Sequence, residues 1–179
     1  MLKAMMPPPE SATAPMVFLD RDGVLNEEVN YAFRLDQITW VEGAFSAVRR
    51  LNQLGYRAVV VTNQSGIARG FYTEEDVRVL HVEMARIMAD NGARIDAFYY
   101  APHHPDATIA AYRVDHEDRK PRPGMLLKAL QAFPTDMQRT FLIGDRATDL
   151  EAAKAAGIAG FLFKDGRLDV FVEDCLAAL

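Results

Sequence analysis

Phe18-Leu19-Asp20-Arg21-Asp22-Gly23-Val24-Leu25 sets two carboxylates and a basic residue where a short apolar run, Met16 to Leu19, gives way to a glycine. A run of that length with an abrupt break reads as a buried strand. Side chains two apart point the same way only while the chain stays extended, so Asp20 and Asp22 need a turn to take different tasks. Gly23 supplies that freedom. Alone, the pattern also suits a solvated turn or a fragment of a calcium loop. The rest of the chain has to decide.

Working outward, residues 23–42 form a long loop carrying Glu27, Glu28, Val29, Asn30, Tyr31, Arg34 and Trp40, and long loops in compact domains are commonly functional. Phe45, Val48, Leu51 and Leu54 recur at helical spacing up to Gly55. Arg57 to Val61 reads as a second buried strand ending in Thr62-Asn63-Gln64-Ser65-Gly66. Thr73 with Asp76 resembles a capping box, and Val77, Leu80, Met84, Ile87 and Met88 continue an amphipathic helix to Gly92. Ile95 to Tyr100 is the third strand, and residues 101–123 hold three histidines and enough prolines to forbid a long helix. Helix over 124–133, strand over 140–143, Gly144-Asp145-Arg146-Ala147-Thr148-Asp149, an alanine-rich helix to Gly157, a strand over 160–163 and a last helix including 170–179 complete the pattern. Alternating strands and helices predict an α/β fold, a doubly wound parallel sheet covered on both faces.

The 179 residues, half of them hydrophobic, predict one domain over 16–179, with a proline-rich flexible tail over 1–15. A net charge of −5 without a Lys/Arg run argues against a nucleic-acid surface. No segment is apolar enough to span a bilayer and the start lacks a secretory apolar core, so a cytoplasmic protein without a membrane partner is expected. Cys175 has no second thiol, which excludes an intrachain disulfide, and no long exposed apolar stripe asks for a partner, so a monomer is expected.

In open α/β sheets ligands bind outside the carboxyl ends of the strands. Three strands here end in polar groups: Asp20 and Asp22, then Thr62 and Asn63, then Asp145 and Asp149. Their sharing one rim turns the solvated-turn reading into the minor one.

Asp20-x-Asp22, Thr62, Lys120 and Gly144-Asp145-x-x-x-Asp149 resemble, in order and in place, the four motifs of the haloacid dehalogenase (HAD) superfamily. Asp20 to Asn26, Thr62 to Gly70 and Arg119 to Met125 are similar to the heptose-bisphosphate phosphatase and histidinol-phosphatase subgroup, the long second motif favouring the heptose enzymes. The resemblance implies a magnesium-dependent phosphomonoesterase, with Mg²⁺ held by Asp20, the Asp22 backbone carbonyl and Asp145. It implies Asp20 as nucleophile forming an aspartyl-phosphate, Asp22 as general acid and base, Thr62 and Lys120 on the phosphoryl group, and Asp149 in support. Glu28, Val29, Asn30, Tyr31, Asn63, Gln64, Ser65, Arg119 and Arg146 would face a phosphorylated sugar, Arg119 and Arg146 being available to a second phosphate. For Arg21 a contribution through its backbone amide is expected. The connections after the first two strands are too short for a cap domain, which predicts an open site. A histidinol-phosphate or other small-molecule phosphatase, and a catalytically silent phosphate-binding module, are the alternatives.

Relatives of that subgroup commonly carry a structural zinc on Cys-x-His and Cys-x-Cys. Here the corresponding residues are Ala101-Pro102-His103 and His116-Glu117-Asp118. His103, His116 and Asp118 offer three ligands, with His104 or water as a fourth, but a closed site needs four well-placed ligands and Ala101 supplies none, so a loop without zinc is expected, with Asp118 paired to Arg119 or His116.

Overall fold

The structure is a computed structural model and describes residues 13–179. Of the expected tail, residues 1–12 lie outside the described residues, whereas Ala14 pairs with Thr135 in a parallel bridge and the Pro15 carbonyl accepts from the Arg57 amide at 2.9 Å.

The chain runs β1 (Met16–Leu19), α1 (Ala44–Gln53), β2 (Arg57–Asn63), α2 (Ser65–Ala68), α3 (Glu74–Asp90), β3 (Ala97–Ala101), α4 (Gly124–Ala132), β4 (Phe141–Gly144), α5 (Ala147–Ala155), β5 (Ala159–Leu162) and α6 (Leu168–Ala178). All five strands are parallel, in the order β3-β2-β1-β4-β5. The expected strands and long helices are present with ends moved by a few residues; the one-turn α2 is an addition to the sequence reading. Among the described residues, no helix is long and apolar enough to cross a membrane.

Side-chain alternation divides the core into two layers. Val17 and Leu19 join Ala58, Val60, Phe141 and Ile143 against Ala47, Val48 and Leu51 of α1 and Leu168 and Val172 of α6. Met16 and Phe18 join Val59, Val61 and Leu142 on the other face, against Met125, Leu126 and Ala129 of α4 and Ala152 and Ala153 of α5. Both faces are dry, so the strands read as near-continuous apolar runs. Leu51 is fully buried, and Leu51→Ala would cost about 2–5 kcal/mol in lost contacts and cavity. The start of α3 is fixed by a capping box, Asp76 N to Thr73 Oγ1 at 3.2 Å and Thr73 N to Asp76 Oδ2 at 2.7 Å, contributing about 1 kcal/mol.

The chain begins in the central strand, fills β2 and β3 to one side, then returns to fill β4 and β5 on the other. The switch in direction therefore falls at the carboxyl end of β1, where a crevice opens between the loops that leave in opposite directions.

Candidate active site

That crevice gathers Asp20 from the end of β1, Thr62 on β2, Asp145 after β4 and Asp149 on α5. Lys120 arrives from the loop before α4, and Asn63 holds it there: Asn63 Oδ1 accepts from the Lys120 amide at 3.1 Å, and Asn63 Nδ2 donates to its carbonyl at 3.0 Å. The Lys120 side chain is buried and its ammonium reaches Asp20 Oδ2 at 2.9 Å, Asp149 Oδ1 at 2.6 Å and the Val61 carbonyl at 2.9 Å. Burial works against the ammonium, but the Asp20 and Asp149 carboxylates more than offset it and hold Lys120 above its ordinary range. Burial pushes the Asp20 carboxyl up to about 7, against the attraction of Lys120. Asp20 Oδ1 also accepts the Arg21 amide at 2.7 Å.

Asp22 is held differently. Its Oδ1 accepts from Asn26 Nδ2 at 2.9 Å, and its Oδ2 accepts from Gln64 Nε2 at 3.1 Å and Arg21 Nη2 at 2.9 Å. Arg21 Nε stands 3.2 Å from both oxygens. Every partner is a donor. Beyond the contribution expected of its backbone amide, the Arg21 guanidinium is fully buried and wraps Asp22, because an arginine inside a domain needs a carboxylate and carbonyls for its donors. Gln64, expected on the substrate, lines the cleft and also braces it, donating to Thr62 Oγ1 at 2.8 Å and accepting from Tyr72 OH at 2.8 Å. Gly66 permits this close approach, since a Cβ there would lie 2.3 Å from the Tyr72 ring.

Asp20, Asp145 and Asp149 each bring a carboxylate oxygen within 4.8 Å of the others, and Asp145 Oδ1 is buried without a hydrogen-bond partner. Burial and the charge of Asp149 raise the Asp145 carboxyl, against the pull of Arg146, whose Nε stands 3.7 Å from Asp145 Oδ2. An all-oxygen donor set of this kind suits a hard divalent ion. Gly23, at φ +85°, lies so close that a Cβ would stand 2.5 Å from Asp145 Oδ2.

Above this floor lies a cleft of about 310 Å³ lined by Glu28, Asn30, Tyr31, Ser65, Arg119 and Arg146 among others. Asn30 and Tyr31 adopt left-handed φ of 52° and 64°, and Tyr31 meets the exposed Phe71 edge-on at 4.9 Å. Val29 is exposed beside them and does not line the cleft. Arg146 reaches Glu28 at 2.9 Å. Burial lowers Arg119, and the like charges of Arg69 and Arg146 add to it, so one wall is cationic.

Residues 118–172 match the HAD-hydrolase-like family model. The chain is 49% identical over 162 residues to D-glycero-beta-D-manno-heptose-1,7-bisphosphate 7-phosphatase of Rhodopseudomonas palustris, covering 90% of each chain. It is 41% identical to the alpha-named enzyme of Burkholderia mallei, over 79% of this chain and 75% of that one. The chain belongs to the HAD-like phosphatases. The solved D,D-heptose 1,7-bisphosphate phosphatase from B. bronchiseptica, complexed with magnesium and phosphate, superposes with a TM-score of 0.76 at 30% identity over 92% of this chain and 99% of that one.

Within this HAD-like phosphatase the 101–123 segment departs from one expected pairing. Asp118 Oδ2 pairs with Lys128 Nζ of α4 at 2.5 Å and lies 3.6 Å from His116 Nδ1, while Arg119 Nη1 donates to the His103 carbonyl at 3.3 Å. The His103 and His116 rings stack at 4.0 Å and 12°, and His116 Nδ1 accepts from the Asp118 amide at 3.1 Å. Tyr100 and Tyr112 both donate to Glu74 of α3, at 2.7 and 2.8 Å.

The sequence reading gave no site role to Asn26, Tyr72 or His81: Tyr72 lines the cleft, and Asn26 and His81 are buried. For His81 a signal existed: it falls four residues after Val77 and three before Met84, on the apolar face of α3.

Proposed function

We propose that this enzyme removes the 7-phosphate of D-glycero-D-manno-heptose 1,7-bisphosphate, using Mg²⁺ and an aspartyl-phosphate on Asp20. The observation that carries this reading is the pairing of two cationic regions in one cleft: Lys120, buried at the floor beside Asp20, and Arg119 with Arg146 above it. A bisphosphate needs both. The names of the relatives support the heptose.

Asp20 and Asp145, with the Asp22 carbonyl, would hold the magnesium ion. When bound, it neutralises the phosphate dianion and polarises a phosphoryl oxygen, so that an anionic nucleophile can approach. Asp20 attacks phosphorus in line, and the ester bond breaks with its electron pair passing to the sugar oxygen. Asp22 gives that oxygen a proton, then takes one from the water that cleaves the aspartyl-phosphate. Its all-donor surroundings are those of the form that accepts the proton. Lys120 and Thr62 face the equatorial phosphoryl oxygens, and Asp149 keeps Lys120 aimed at them.

The test is phosphate release with magnesium from both heptose anomers, hexose bisphosphates, histidinol phosphate and simple monophosphates. Selective release from a heptose bisphosphate is expected. Faster turnover of histidinol phosphate, or of any monophosphate, would discard the substrate and keep the chemistry.

A further inference from the structure

Behind Asp22 lies a polar chain that the reaction as described does not use. Arg21 spends Nη2 on Asp22 Oδ2 at 2.9 Å and on the Ala32 carbonyl at 2.8 Å, and its Nη1 stands 3.3 Å from Nε2 of His81. His81 is 5% exposed, on the inner face of α3, with its ring stacked on Phe98 at 4.5 Å and 20°. A guanidinium has no acceptor, so the contact is a hydrogen bond only if Nε2 offers its lone pair and the proton sits on Nδ1.

We propose that His81 is a positioning residue: through Nε2 it fixes the buried Arg21 guanidinium, whose fork sets the plane and direction of the Asp22 carboxylate for proton transfer.

Three observations agree with this assignment. The stack on Phe98 fixes the imidazole plane, and with it the direction of the lone pair. Burial, with the charge of Arg21 added, lowers His81 to about 3, which keeps the ring the neutral acceptor that the contact requires. The fork reaches both Asp22 oxygens, so without it the carboxylate keeps the Gln64 and Asn26 amide donors but loses its only charged partner among the described residues. Misalignment of a proton donor by a fraction of an ångström is felt in the proton-transfer step more than in binding.

The inference rests on Asp22 acting as acid and base, and the test separates the two. An alkyl phosphate leaves as a strongly basic alkoxide and needs the proton, whereas 4-nitrophenyl phosphate leaves as a stable phenolate and does not. The quantity to compare is kcat/KM, which reports phosphoryl transfer to Asp20 alone. We expect His81→Leu to lower kcat/KM for the alkyl phosphate about 10- to 100-fold, and for 4-nitrophenyl phosphate less than about threefold. Because Asp22 also activates the water, the same variant should release a burst of nitrophenolate before slow turnover. His81→Gln can present an amide oxygen near the same place and should recover most of the loss.

Equal losses on both substrates would overturn the assignment, as would no loss, or a glutamine variant as impaired as the leucine one at unchanged melting temperature. Asp22→Asn, run alongside, tests the underlying reading. If it retains full alkyl-phosphate turnover, the acid/base role of Asp22 falls and the role of His81 falls with it.

Discussion

The floor of the cleft and the 102–119 segment border the same space but are built by different means. Asp20, Thr62 and Asp145 stand at strand ends whose positions the parallel ladder dictates, Lys120 and Asp149 join them from the loop before α4 and from α5, and the charges of Lys120, Asp20 and Asp149 are all nearly inaccessible to solvent. The segment has no ladder. Side-chain bonds hold it at partial exposure, with Tyr112 on Glu74, Lys128 on Asp118 and Arg113 on the Ala107 carbonyl. Breaking one partner of a buried pair strands an uncompensated charge, whereas an exposed pair is replaced by water at little cost. One border should therefore be brittle and the other tolerant.

The sharpest break is Asp20→Asn, which should lower phosphate release by at least about 10³-fold while circular dichroism shows an intact fold. Removing magnesium with EDTA should abolish turnover as completely, and adding it back should restore activity. A comparable requirement for zinc in the 102–119 segment would contradict the contrast, and metal analysis of the purified protein checks it. Lys120→Met should slow turnover about 10²- to 10³-fold, and leaving Asp20 and Asp149 unpaired should cost about 3–5 kcal/mol, read by urea denaturation.

The pH dependence of stability gives a middle-sized effect. His81 titrates near 3 in the folded protein but near 6.5 when unfolded, so the unfolded state binds the extra proton between those values. Stability is complete above about pH 6.5 and falls at up to roughly 1.4 kcal/mol per pH unit as pH drops toward 3. The conservative variant His81→Gln should flatten that part of the curve, and an unchanged slope would show that other groups set it. The smallest effect is expected for Lys128→Met, within about 1 kcal/mol in stability and with kcat unchanged. Should it prove as damaging as Lys120→Met, the contrast is lost.

The same contrast explains what the sequence disclosed. Strands ending in Asp20, Thr62 and Asp145 were legible because a buried apolar run can stop only at a boundary, and the parallel order puts those boundaries on one rim. Lys120 and Asp149 followed from the motif pattern, and the fold's layers from strand and helix alternation. Arg21 was not legible, since arginine is seldom fully buried and its neighbour Asp22 gives no sign of where the guanidinium turns. Asn63 and Gln64 line the cleft, but their second task was not legible for a related reason: an amide beside a site can face the ligand or brace the frame, and these also brace Lys120 and Asp22. Lys128 on Asp118 depends on how α4 returns along the segment, which no local pattern encodes.

The switch in strand order also fixes when the protein can first act during its own synthesis. Asp20 and Asp22 leave the ribosome before the rest of the site, but β1 gains its second neighbour only once Phe141 to Gly144 has followed. Until then the acidic pair has neither Asp145 beside it nor Asp149 to hold Lys120 in place. Closing contacts across that much chain is slow relative to helix formation. Activity therefore arises in one late step, and phosphate release from a chain still being made would report the moment at which the sheet closes.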